Sequence, residues 1–146
     1  MKTAIVYCSV HHGNTKKLLD AIASENQVDL IDVTQNTDVD LNVYDRIGFA
    51  FGIYYSKFHK TLIKLAEEKM PQNKKPFFVY TCGAEKEGYT QTIADAVKKK
   101  NSEIIGSYGC KGFDTFGPFK LVGGIAKGHP DEEEIRGAKE FYAQLP

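Results

Sequence analysis

Seven consecutive residues, Ser9, Val10, His11, His12, Gly13, Asn14 and Thr15, gather short polar side chains around a glycine. Ser9 and Thr15 bring hydroxyls, Asn14 an amide, and His11 and His12 ring N–H groups, while Gly13 has no Cβ to keep a bulky group off the backbone. Donors this dense suit an anion with several oxygens, and phosphate above all.

What flanks the stretch decides whether those donors converge. Upstream, Ala4 to Cys8 is continuously apolar, as in a strand buried on both faces of a parallel sheet. Downstream, Leu18, Leu19 and Ile22 recur at helical spacing, with Lys16, Lys17, Asp20 and Glu25 between them. The polar stretch therefore joins a strand to a helix. At a helix start the first N–H groups have no intrahelical acceptor and the dipole adds partial positive charge, which favours an anion there. Neither Gly-x-x-x-x-Gly-Lys-Ser/Thr nor Gly-x-Gly-x-x-Gly occurs in it, so the usual signatures of nucleoside triphosphate and dinucleotide binding are missing. An ordinary turn capped by Asn14 or Thr15 uses the same residue types and stands as the alternative.

The remaining pattern repeats this alternation. Val28 to Val33 alternates with Asp29 and Asp32, which suits a strand exposed on one side or at a sheet edge, and a polar connection follows from Thr34 to Asp45. Ile47 to Phe51 reads as a buried strand, and Phe58, Leu62, Leu65 and Ala66 as a helix face ending before Pro71. Phe77 to Tyr80 gives a fourth strand, and Tyr89, Ile93, Ala96 and Val97 the next helical stripe. Ile104 to Tyr108 is the expected fifth strand, followed by a glycine-dense loop, Gly112 to Gly128, carrying Phe113, Phe116 and Phe119. A last helix is expected to begin near Pro130 and Asp131, where proline and Glu132 to Glu134 suit a helix N-terminus, with Ile135, Ala138, Tyr142 and Leu145 on its apolar face.

Strands alternating with helices predict an α/β fold with a five-stranded parallel sheet of order 2-1-3-4-5, helices on both faces and right-handed crossovers, over residues 1–146 as one domain. In such a sheet ligands bind beyond the carboxyl ends of the strands where the winding reverses, here between strands one and three. Three loops therefore converge: the one from Ser9, the one from Gly52 and the one from Thr81. Ile53, Tyr54 and Tyr55 bring apolar and aromatic surface to that rim, and Tyr89 approaches from the fourth strand, so a flat aromatic ligand fits between them. Gly52, Gly83 and Ala84 are small enough for backbone amides to reach heteroatoms at a ring edge. Tyrosines that merely cover the sheet end are the alternative.

Ser9 through Thr15, Gly52-Ile53-Tyr54-Tyr55 and Thr81-Cys82-Gly83-Ala84, in this order over essentially the whole chain, resemble the flavodoxin-like FMN-binding family. The resemblance implies a flavodoxin-like three-layer sandwich in which Ser9, His11, His12, Gly13, Asn14 and Thr15 hold the FMN phosphate. It also implies that Gly52, Ile53, Tyr54 and Tyr55 line one side of the flavin, and Thr81, Cys82, Gly83 and Ala84 the other. Two features depart from typical flavodoxins: the phosphate loop is one residue longer than Ser-x-Thr-Gly-Asn-Thr, and the chain is not acidic. The longer loop, with Gly52 to His59, is also similar to the flavodoxin-like menaquinone-dependent protoporphyrinogen oxidases.

Composition narrows the rest. Nineteen basic residues balance nineteen acidic ones, which removes a strong pull toward nucleic acid or an anionic membrane. No apolar run reaches transmembrane length and no secretory signal opens the chain, so a cytoplasmic protein without an integral membrane segment is expected. Cys8, Cys82 and Cys110 lack Cys-x-x-Cys spacing, so neither a thiolate metal site nor a complete disulfide framework is indicated, and reduced, buried thiols are expected.

The leading expectation is an FMN-dependent electron carrier between redox partner proteins, with no catalytic amino acid, because the flavin performs the chemistry. His11, His12, Lys16, Lys57, His59, Lys60 and Lys86 outnumber Glu85 and Glu87 around the rim, which favours a less negative reduced couple than in an acidic carrier. The rivals are an FMN-dependent reductase or oxidase of quinone or porphyrin-like substrates, and a non-redox module that binds a phosphate ligand.

Overall fold

In the computed structural model, residues 1–8, 14–35, 38–52, 60–82, 90–111 and 128–146 are described. Five strands and four α-helices alternate along them: β1 (Thr3–Cys8), α1 (Asn14–Glu25), β2 (Asp29–Asp32), β3 (Arg46–Gly52), α2 (Lys60–Lys69), β4 (Lys75–Cys82), α3 (Gln91–Lys98), β5 (Gly106–Lys111) and α4 (Glu132–Ala143). The strands form one parallel sheet in the order β2-β1-β3-β4-β5, as the alternation predicts.

The two faces of the sheet carry separate cores. Ala4, Val6, Cys8, Ile47, Phe49, Phe51, Phe78 and Cys82 pack with Leu62, Leu65 and Ala66 of α2 and Ile93, Ala96 and Val97 of α3. Ile5, Ala50, Phe77, Val79 and Cys110 pack instead with Leu18, Leu19 and Ile22 of α1 and Ala138 and Tyr142 of α4. The period-2 alternation of side chains along each strand assigns every strand residue to one layer. Ile22 lies one helical turn from the adjacent pair Leu18 and Leu19, and all three are fully buried, which is why the α1 segment folds as a helix on this sheet rather than elsewhere.

Three segments differ from the sequence reading. β4 runs through Cys82, so Thr81 and Cys82 are strand residues paired with β3 and β5 and not the start of a turn. The fifth strand runs over Gly106–Lys111 instead of starting at Ile104. Ile104 and Ile105 are apolar because they cover the two cores just before the ladder begins, with the Ile105 N–H donating to the Pro76 carbonyl at 2.9 Å. The strand itself is a polar edge, and its Gly109 leaves room for the Tyr80 ring, which a Cβ there would strike. In the polar connection before β3, a one-turn 3-10 helix, Leu41–Val43, buries Leu41, and Tyr44 follows it into the same core.

The last helix starts where the sequence places it. Asp131 caps it, its carboxylate accepting the Glu134 N–H at 2.9 Å while the Glu134 carboxylate accepts the Asp131 N–H at 3.0 Å. His129 Nδ1 also bonds the Glu134 carboxylate. Phe58 and Tyr89 and the loop from 112 to 127 lie outside the described residues. Among the described residues no helix is long and apolar enough to cross a membrane.

Candidate functional site

The parallel register brings the last residues of four strands to one edge: Cys8 is level with Phe51, Gly52 with Thr81, and Cys82 with Lys111. The order reverses between β1 and β3, so the crevice expected of an open α/β sheet opens at Cys8 and Gly52. From there α1 begins at Asn14 and crosses over β3 toward β4. Asn14 and Thr15 are helical residues of the first turn rather than caps preceding it, and both are buried.

Crossing β3 brings the start of α1 to the end of β4. Thr15 Oγ1 and Thr81 Oγ1 lie 3.1 Å apart in a hydrogen bond between the first and third expected loops. The two residues are 1% and 2% exposed, so solvent does not compete for the pair. Thr81 reaches α1 because its neighbours Val79 and Cys82 face opposite layers: Val79 packs in the α1 and α4 core, and Thr81 shares its side.

Cys82 points the other way, into the α2 and α3 core, where it is 4% exposed and its thiol donates to the Cys110 carbonyl at 3.6 Å. Cys8 is buried in that same layer, and burial, reinforced by the Asp32 carboxylate, pushes its thiol up to about 11. Its side chain packs in that core. Cys8, Cys82 and Cys110 form no disulfide.

Two features of this edge escape the sequence reading. Asp32, at the end of β2, accepts the Thr34 N–H at 2.9 Å and the Thr34 hydroxyl at 2.6 Å, which fixes a carboxylate beside the end of β1. The Asp-x-Thr spacing is the only trace of it in sequence. Lys16, counted among the rim cations, bonds Asp20 one turn on and lies 5.7 Å from the Tyr7 ring centre. Tyr7 is raised from its usual value, by burial first, with the Lys16 charge opposing and Asp32 adding to the rise.

Of the site residues picked from sequence, the structure brings Asn14, Thr15, Gly52 and Thr81 to one edge and turns the Cys82 side chain into the layer beneath. Ser9, His11, His12, Gly13, Ile53, Tyr54, Tyr55, Gly83, Ala84 and Tyr89 lie outside the described residues, as do Lys57, His59 and Lys86. The described set fits a phosphate group: a twelve-residue helix starts at the switch point, and a buried hydroxyl stands in its first turn.

Comparison with known proteins agrees with this architecture. A flavodoxin domain family matches residues 4–110, from the second residue of β1 to the last residue but one of β5. An uncharacterized protein of Methanocaldococcus jannaschii is 41% identical over 147 residues, covering 99% of this chain and 98% of its own. The flavodoxin-like domain-containing protein BilS of Clostridioides difficile is 31% identical over 144 residues, covering 93% of this chain and 80% of its own. Among solved structures, a flavodoxin from the domain Archaea superposes with a TM-score of 0.67 at 19% identity, over 97% of this chain and 93% of its own. With strand order, switch point and sequence match in agreement, the chain belongs to the flavodoxin domain family.

Proposed function

We propose that the protein binds FMN at the carboxyl edge of the sheet and serves as an electron carrier between redox partners. The observation that carries this reading is the Thr15–Thr81 hydroxyl pair, buried beside the first turn of α1 at the switch point. The first turn offers N–H groups with no intrahelical acceptor, and the hydroxyl of Thr15 adds a side-chain donor, a set that suits the phosphate of FMN. By the family resemblance Ser9, His11, His12, Gly13 and Asn14 would complete the phosphate loop, and Tyr54 and Tyr55 would line the flavin ring.

FMN supplies the redox chemistry, taking up and releasing electrons singly or in pairs. The chain has to bind it, orient it and set its electrostatic surroundings, and needs no acid, base or nucleophile of its own.

The test is to add FMN to purified protein, record the visible spectrum and then reduce stepwise without oxygen. A spectral shift at stoichiometric FMN followed by two separable one-electron steps is the expected result. Bound FMN reduced in a single two-electron step, with rapid turnover of a quinone, would replace the carrier with a reductase. Protein that takes up no FMN would overturn the reading altogether.

A further inference from the structure

The structure pairs Thr15 with Thr81 without saying which hydroxyl donates, and a phosphate ligand decides it. Each hydroxyl has one proton and two lone pairs. A phosphate monoester dianion has only lone pairs to offer, so Thr15 can bond it only by donating its single proton. Thr15 must then accept from Thr81 across the 3.1 Å between them. The opposite polarity, with Thr15 donating to Thr81, would turn lone pairs of Thr15 toward an anion.

Resting on the FMN reading above, we propose that Thr81 is a positioning residue for the cofactor's phosphate rather than a wall of the flavin ring. It donates to Thr15 and so commits the Thr15 proton to the phosphate. Three observations support this. The pair is shut off from solvent, at 1% and 2% exposure, so water is not in place to orient the Thr15 hydroxyl instead. Both residues are β-branched and stand on regular elements, α1 and β4, which holds their side chains to few rotamers. Thr81 is also one residue from the end of β4, and Cys82 after it already points into the opposite layer, so Thr81 is the last residue of this strand able to reach α1. Hydrogen bonds in a chain polarise one another, and an ionised acceptor at its end strengthens the link before it.

Riboflavin, which has the ring and ribityl chain of FMN but no phosphate, separates the two roles. Dissociation constants of FMN and riboflavin are measured by flavin fluorescence for the wild type and for Thr81→Val, Thr81→Ser and Thr15→Val, with urea midpoints of each apoprotein. Thr81→Val is expected to weaken FMN by about fivefold, as the loss of one hydrogen bond does, and riboflavin by less than about twofold. Thr81→Ser keeps the donor and is expected to restore FMN binding. In the Thr15→Val background, Thr81→Val is expected to cost FMN nothing further. Equal weakening of FMN and riboflavin by Thr81→Val would make Thr81 a ring wall or a packing residue and overturn the proposal, as would independent, additive losses from the two substitutions. Should Thr81→Val not fold, Thr81→Ala in the same comparison of the two flavins decides in the same way. Wild-type protein that binds neither flavin would remove the FMN reading itself, and this inference with it. Wild-type protein that binds both equally would keep a flavin site but overturn the phosphate relay.

Discussion

At the amino end of the sheet, polar groups close on one another. The turn after α2 and the turn after α3 are tied by Asn73 N–H donating to the Lys100 carbonyl at 3.1 Å, by Asn101 donating to Asn73 at 2.5 Å, and by Lys74 N–H donating to the Ser102 hydroxyl at 3.0 Å. Asn73 and Asn101 take left-handed backbone, with φ of 60° and 50°, which asparagine tolerates better than most residues. Lys2 and Asp45 exchange two bonds of 2.8 Å, and Arg46 reaches both Thr3, at 3.0 Å, and the Tyr142 hydroxyl, at 2.9 Å. At the carboxyl end a helix starts with N–H groups it cannot satisfy itself, and the buried hydroxyls there bond each other with a proton still to be directed. The described bonds at the amino end tie turns and strands to one another, whereas the Thr15–Thr81 pair lies at the edge where the FMN reading puts the phosphate. Substitutions at the amino end should therefore move stability and leave FMN affinity alone, and those at Thr15 and Thr81 should do the reverse.

The largest effect is expected from Gly48→Ala in the amino half of β3. A Cβ there would come within 2.5 Å of the Phe77 ring and 3.0 Å of Ile5. Phe77 is fully buried and packs edge-on against Tyr142 and tilted against Phe141, so it has little room to retreat. A loss of about 2–3 kcal/mol in urea unfolding is expected. An unchanged midpoint would mean the core yields more easily than its packing indicates.

Arg46→Met should follow, at about 2 kcal/mol, because it removes two charge-assisted bonds and leaves the buried Thr3 hydroxyl without its donor. The guanidinium also stacks 4.9 Å from the Tyr142 ring centre. FMN affinity within about twofold of wild type is the matching expectation. A tenfold loss would show that the two ends are coupled and break the contrast.

Alkaline titration sharpens it further. The Cys8 thiol is pushed up to about 11 by burial, Tyr44 to about 12 by its bond to Asp29, and Tyr108 to about 12 by burial. Unfolded, these groups release their protons at their ordinary values near 9 and 10. Between those values and the raised ones the unfolded chain binds fewer protons, so stability is complete below about pH 9 and falls as pH rises toward 12. Asp29→Ala removes the acceptor that is the largest cause at Tyr44 and should flatten part of that fall; urea midpoints independent of pH from 8 to 11 would contradict all three shifts.

How much of this the sequence carries depends on range. The sheet order follows from local alternation, since each strand and helix has its own period, and the edge character of β2 shows in Asp29 and Asp32. The fifth strand is misread because Ile104 and Ile105 have strand-like composition, whereas their apolar character serves the cores beneath. Leu41 and Tyr44 are isolated in a polar stretch, and single buried residues have no period to detect. Asn14, Thr15, Gly52 and Thr81 are legible as belonging to one edge, because each sits at a strand or helix end. The bond between Thr15 and Thr81 is not: the residues are 66 apart in sequence, on elements separated by β3, and only the path of α1 across the sheet joins them. Cys82 is expected in the turn after the fourth strand but is the last residue of β4, and whether its side chain meets a ligand or the core depends on a one-residue register that composition does not mark.

The smallest effect is expected at Lys16, and it tests the contrast most closely, since Lys16 stands in the same first turns of α1 as Thr15. By charge count it belongs to the basic rim, and a free cation there would draw a phosphate. The structure pairs it instead with Asp20, the first cause of its raised pKa, and Asp32 adds negative charge nearby. Lys16→Met should change stability by no more than about 0.5 kcal/mol, as exposed pairs one helical turn apart do, and FMN affinity by less than about twofold. Asp20→Asn should instead release the Lys16 charge and tighten FMN slightly at low salt, with the gain vanishing as salt screens it. If Lys16→Met weakens FMN tenfold while Thr81→Val does not, charge on α1 and not the directed hydroxyl pair holds the phosphate, and the carboxyl end works by attraction at a distance instead of by donors set in place.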